Sequence, residues 1–118
     1  LLVGALLAVG NSAWPHAALV KSEQARRATL SKAPTQIRLW FNERLEPAYS
    51  TISLFKDDAG AVAHAPAQVD KVDAKLLVLE LPPLAPGAYT VKYRVLSVDG
   101  HTVDYGYTFT VKSAPGSR

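Results

Sequence analysis

The chain contains no cysteine and no methionine. Without cysteine there is no disulfide framework and no thiolate zinc site, so the fold rests on packing alone. The same absence fits either redox compartment and fixes no location. Without methionine no thioether-rich site for a soft metal ion can form. No block of five or six like charges occurs, and the formal charge is only +3, which argues against a nucleic-acid stripe. Aromatic residues make up 8%, too few for a flat aromatic face that would grip a polymer. Gly-x-Ser-x-Gly, His-Glu-x-x-His and phosphate-binding loop motifs are missing. No apolar run approaches the roughly 20 residues of a membrane-spanning helix.

What the chain does have is the composition of one globular domain. Of its 118 residues, 48% are hydrophobic and 19% charged, enough for a modest core and unlike a disordered segment. Residues 1–9 are almost wholly apolar and are followed by Gly10, Asn11, Ser12 and Ala13. That order is the grammar of a secretion signal, with its basic start and initiating Met missing. The reading is a leader over residues 1–15, truncated at its start, and a mature domain over residues 16–118. Such a protein is exported, into the periplasm where the host has two membranes, and does not insert in the membrane once the leader is gone.

Strand periodicity dominates the rest. In residues 36–42, Ile37, Leu39 and Phe41 fall on one side and Arg38, Trp40 and Asn42 on the other, the period of a half-buried strand. Alternation leaves open which of Trp40 and Phe41 lies inside. Residues 51–55 form a second strand, and Asp57-Asp58-Ala59-Gly60 a hairpin turn. Residues 61–65 and 68–72 are weaker strands around Pro66, and residues 76–81 a nearly continuous apolar one. Residues 88–95 and 102–112 alternate cleanly. Residues 21–34 read as a polar loop, with a helical turn at residues 23–28. About seven short strands with turn signals between them predict an all-β fold, a seven-stranded antiparallel Greek-key β-sandwich or barrel, immunoglobulin-like or cupredoxin-like. Its inner faces should hold Ile37, Leu39, Phe41, Ile52, Leu54, Leu77, Leu79, Tyr89, Val91, Tyr93, Tyr107 and Phe109.

The chemistry concentrates at Asp99-Gly100-His101 and at His16. If the leader is cut before His16, that residue gains a free α-amine, which closes a six-membered chelate ring with Nδ1. Amine, two imidazoles and a carboxylate make an N,N,N,O set, and Cu(II) favours tetragonal N,O donors. Asp99 and His101 are two apart, so in extended backbone both leave on one face. Gly100 between them brings no side chain to crowd an ion. Asp99 either binds directly or orients an imidazole.

Four stretches together resemble the CopC/PcoC family of exported copper-resistance proteins. They are residues 16–22 (HAALVKS), 37–43 (IRLWFNE), 86–91 (PGAYTV) and 95–103 (VLSVDGHTV). The likeness covers residues 16–112, and its most specific element is Ser-x-Asp-Gly-His with a His at the mature start. It implies a seven-stranded Greek-key fold, a Cu(II) site at one end and metal ligands at His16, Asp99 and His101. A membrane copper transporter is the implied partner. Two departures stand out. Pro15 is a poor residue before a signal-peptidase cut. A cut after Ala13 would leave Trp14 and Pro15 ahead of His16, reducing the set to two imidazoles and a carboxylate. The methionine-rich Cu(I) loop of some members is absent, which implies a Cu(II)-only member.

The function so predicted is sequestration or delivery of Cu(II), with no enzymatic step. One alternative is a histidine-brace copper oxygenase, where Asp99 would occupy the space that oxygen chemistry needs. Another is a metal-free immunoglobulin-like interaction module, since a sandwich alone does not set function. Elsewhere the plain readings win. His64 is a solvated loop residue, and Tyr105 belongs to core or rim. Trp40 packs in or near the core. Glu23, Glu43, Arg26 and Arg27 are solvated charges.

Overall fold

The computed structural model describes residues 19–22 and 28–113. The proposed leader, His16 and the charged residues Glu23, Arg26 and Arg27 lie outside the described residues. Among the described residues there are nine strands: β1 (Leu19–Ser22), β2 (Ala28–Leu30), β3 (Gln36–Phe41), β4 (Thr51–Lys56), β5 (Gly60–Ala61), β6 (Gln68–Val69), β7 (Leu76–Glu80), β8 (Gly87–Leu96) and β9 (Thr102–Val111). They form a four-stranded sheet, β1-β3-β7-β6, and a five-stranded sheet, β2-β9-β8-β4-β5. The chain changes sheet between β1 and β2, between β2 and β3, between β3 and β4, between β5 and β6, and between β7 and β8.

Alternation explains the layers. β3 buries every second residue, Ile37, Leu39 and Phe41, so Phe41 rather than Trp40 is inside. Every residue expected on an inner face is buried, and Leu45, Leu76, Val95 and Val111 join them. Aromatic rings lock the layers. Phe41 meets Tyr93 edge to face at 5.5 Å, and Tyr89 stacks on Phe109 at 5.4 Å. Buried Tyr89 satisfies its hydroxyl by donating to Ala85 O at 2.6 Å. Trp40 stays on the outer face, half-buried, under the Arg38 guanidinium at 5.4 Å.

Several local expectations change. Within residues 21–34 the polar loop gives way to the end of β1 and to β2, and β2 runs parallel to β9, with Ala28 opposite Phe109. This is the one pair among the described strands that is not antiparallel. Three residues are too few to show a period. What makes β2 a strand is the open edge of β9 and the partly buried Leu30 packed on the core. The weak strands around Pro66 shrink to two residues each, β5 and β6. A single 3-10 turn, Pro47–Tyr49, occupies the β3–β4 connection. The hairpin at Asp57–Gly60 forms as expected, with Lys56 opposite Gly60.

β8 and β9 are ten residues each and pair along their whole length, from Gly87 opposite Val111 to Leu96 opposite Thr102. Gly106 allows their close approach. A Cβ there would lie 2.4 Å from the Val91 carbonyl oxygen, so backbone would have to move. Gly106→Ala should therefore destabilise the domain by about 1–3 kcal/mol, read as a lower denaturant midpoint with an unchanged slope. A midpoint equal to wild type would show that the two strands are not held this tightly.

Candidate metal centre

At the far end of the β8–β9 hairpin, the chain reverses through Val98, Asp99 and Gly100. Gly100 N–H bonds Ser97 O at 2.9 Å, and Ser97 N–H bonds His101 O at 2.9 Å. Gly100 has φ +93°, the left-handed region that suits glycine at this place in a three-residue hairpin loop. Its role is conformational, since a Cβ there would meet nothing within 4 Å. The expected extended backbone across Asp99 and His101 is thus a tight turn. The two side chains still meet, because the left-handed residue folds His101 back: His101 Nδ1 lies 3.3 Å from Asp99 Oδ1. Both are substantially exposed, at 48% and 38% of their side chains.

The turn is strapped to the body of the domain. Leu45 forms an isolated bridge with Ser97. Val98 N–H bonds Arg44 O at 2.9 Å, and Glu46 N–H bonds Leu96 O at 2.8 Å. Leu45 N–H bonds Ala74 O at 3.0 Å, and Phe41 N–H bonds Lys75 O at 2.8 Å. Buried Ser50 accepts from Leu96 N–H at 3.3 Å and donates to Glu46 O at 2.9 Å. Three connections therefore close over one end of the sandwich. β1 begins at that end as well, with Leu19 opposite Phe41.

Ser97 is wholly buried and donates its hydroxyl to Asp99 Oδ1. This bond, more than the neighbouring His101, holds the Asp99 carboxyl below its ordinary value, against a smaller opposing effect of desolvation. Reading the sequence for ligands passed over Ser97, Leu45 and Ser50. The signal for Ser97 was available: it continues the inward series Tyr89, Val91, Tyr93, Val95, where a polar residue needs a bonding partner.

Of the expected ligands, Asp99 and His101 stand side by side, and His16 lies outside the described residues. No group of three or more His, Asp or Glu side chains suited to a metal occurs among the described residues. His64 is half-buried in the β5–β6 connection, its Nδ1 2.8 Å from Ala65 O. Tyr105 is a rim residue, 56% exposed with its ring edge-on to Tyr93. No helix of the described residues is long and apolar enough to cross a membrane.

Two β-sheets joined by crossovers, with a carboxylate–imidazole turn at one end, define the class: small all-β sandwich domains. Residues 19–112 match the family model described as the CopC domain, and the chain belongs to the CopC family. It is 36% identical over 117 residues to copper resistance protein C of Xanthomonas campestris pv. juglandis, covering 94% of this chain and 91% of that one. It is 37% identical over 105 residues to protein YobA of Escherichia coli K12, covering 88% and 85%. The crystal structure of CopC from Methylosinus trichosporium OB3b superposes with a TM-score of 0.81 at 35% identity, covering 87% of this chain and 100% of that one.

A carboxyl group whose folded pKa is depressed stabilises the fold above its unfolded pKa and loses that contribution as pH falls through the folded one. In the metal-free protein, the Asp99 carboxyl carbon should titrate with an NMR midpoint below 3.8. A midpoint at or above that value would show that the Ser97 and His101 contacts are not made in solution.

Proposed function

We propose that this protein binds one Cu(II) ion outside the cytoplasm and sequesters or delivers it, without making or breaking covalent bonds in a substrate. The ligand set is the α-amine and imidazole of His16, the Asp99 carboxylate and the His101 imidazole. These are borderline and hard donors in the number that a tetragonal cupric ion takes. The residues fit that ion: a carboxylate and an imidazole already touch on an exposed, rigid turn.

The observation that carries the reading is the position of β1. Leu19 pairs with Phe41 at the end of the sandwich where the Asp99–His101 turn stands. Three chain steps separate residue 16 from Leu19, a reach of about 11 Å at most. In this reading, a mature terminus at His16 would supply its amine and imidazole from within that reach of Leu19. Relatives support copper as the cargo, since copper resistance protein C is the name of one that shares 36% identity with this chain. The absence of methionine argues for the cupric form, because a thioether site for Cu(I) has no ligands here. Export and a membrane copper transporter as the receiving partner complete the reading.

Imidazole and amine donors must be deprotonated to bind a metal, with ordinary pKa values of about 6.5 and about 7.7–8.0. Copper titration of the mature protein should show affinity at least about tenfold lower at about pH 5.5 than at about pH 7.5. His101→Ala should lose most Cu(II) affinity while keeping its circular dichroism spectrum and unfolding midpoint. Unchanged affinity in that variant would defeat the ligand assignment and favour a metal-free interaction module. Intact mass of the exported protein tests whether His16 comes first.

A further inference from the structure

Ser97 is the one polar side chain at the turn that is fully buried. It lies one residue past the end of β8, at the next inward position after Val95, where the pattern calls for an apolar residue. A hydroxyl in that place costs stability unless it is hydrogen-bonded. Its single proton has two acceptors in reach, Asp99 Oδ1 and, farther away at 3.3 Å, His101 O, and it goes to the nearer, Asp99 Oδ1. As an acceptor, the same Oγ lies 3.4 Å from the His101 backbone nitrogen. The serine is itself immobile, because its backbone is held by His101 O, by Gly100 N–H and by the bridge to Leu45. A buried, fixed group thus grips an exposed carboxylate that would otherwise be free to rotate in solvent.

The grip selects one carboxylate oxygen. Asp99 Oδ1 takes the Ser97 hydroxyl and faces His101 Nδ1 at 3.3 Å. With Nδ1 protonated, two donors meet the two lone-pair directions of that oxygen. The oxygen left for a metal is Oδ2. We propose that Ser97 is a positioning residue of the metal turn: its buried hydroxyl pins Asp99 by Oδ1 before copper arrives, so that Cu(II) meets this carboxylate through Oδ2 alone. The inference rests on the copper-binding reading above. Its consequence is a single-oxygen contribution from Asp99, which keeps the set at four donors and spares the cost of ordering the carboxylate on binding. Contacts of this kind beyond the ligands themselves are worth about 10–100-fold in metal affinity.

The test is a double-mutant cycle in the mature protein, with Ser97→Ala, Asp99→Asn and the pair. Alanine keeps the backbone bonds of the turn, and unchanged circular dichroism spectra of the metal-free variants check this. Ser97→Ala should weaken Cu(II) binding about tenfold or more. It should also move the cupric EPR spectrum toward that of Asp99→Asn. In the Asp99→Asn background the same substitution should cost much less, because the carboxylate ligand that Ser97 positions is gone. Equal losses in both backgrounds would make Ser97 a plain structural residue and overturn the inference. So would wild-type affinity and spectrum in Ser97→Ala, and both results would leave the copper reading standing. A wild-type protein that binds no copper, or whose binding survives His101→Ala, would remove that reading and this inference with it.

Discussion

The β8–β9 ladder is the constraint on which the rest depends. Its two strands pair from Gly87–Val111 to Leu96–Thr102 without a break. One face of that ribbon supplies most of the five-stranded sheet's share of the core, through Tyr89, Val91, Tyr93, Val95, Tyr107, Phe109 and Val111. Its closed end supplies the turn that carries Asp99 and His101. Packing and chemistry therefore share one element. The apolar face fixes the register, since a slip by one residue would turn every side chain to the other side. The register in turn fixes which residues fall in the loop. A carboxylate and an imidazole come together at the tip because valine and tyrosine are buried along the shaft.

The tip would still be a fraying hairpin end if nothing held it from the side. The segment from Arg44 to Glu46 does so, with a bridge to Ser97 and backbone bonds to Val98 and Leu96. Leu45 is buried at 3% exposure and anchors that strap in the core. The strap is tied in turn to the β6–β7 loop by Leu45 N–H and Ala74 O. This is how a loop in a protein without disulfides reaches the rigidity that a preorganised site needs. Loops carry function well when a packed scaffold positions them.

Much of this was readable in the sequence, and the reason is physical. Long strands with one buried face leave a period-2 trace, and the residues assigned to the interior from that trace are buried. The site turn was readable because Asp-Gly-His combines chemistry with a turn residue. The parts that escaped are those set by tertiary context. β2 exists because β9 offers an edge, and nothing in Ala-Thr-Leu announces that. Leu45 reads as a lone leucine in a polar connection, and only the folded chain shows it bridging Ser97. Trp40 and Phe41 are equally apolar, and the phase set by Ile37 and Leu39 decides between them. The extended geometry expected across Gly100 failed for a related reason. Two-apart residues share a face in a strand, yet a left-handed glycine reaches the same juxtaposition by bending the chain.

Placing the ligands on separate parts of the chain has a consequence for the proposed function. Asp99 and His101 sit at the closed end of the ten-residue β8–β9 ladder, whereas His16 precedes in sequence a short edge strand whose register shifts between Leu19 and Lys21. In the proposed complex, one half of the ligand set is preformed and the other half is delivered by a tether. A metal held in the proposed way by a preformed pair and a terminal pair would be open to stepwise release, one pair at a time. Full enclosure in a rigid cage would give tight binding and slow exchange, which suits storage. In the proposed complex, donors from His16 would suit a cargo that must be handed on, because the cost of release would fall at one end of the chain.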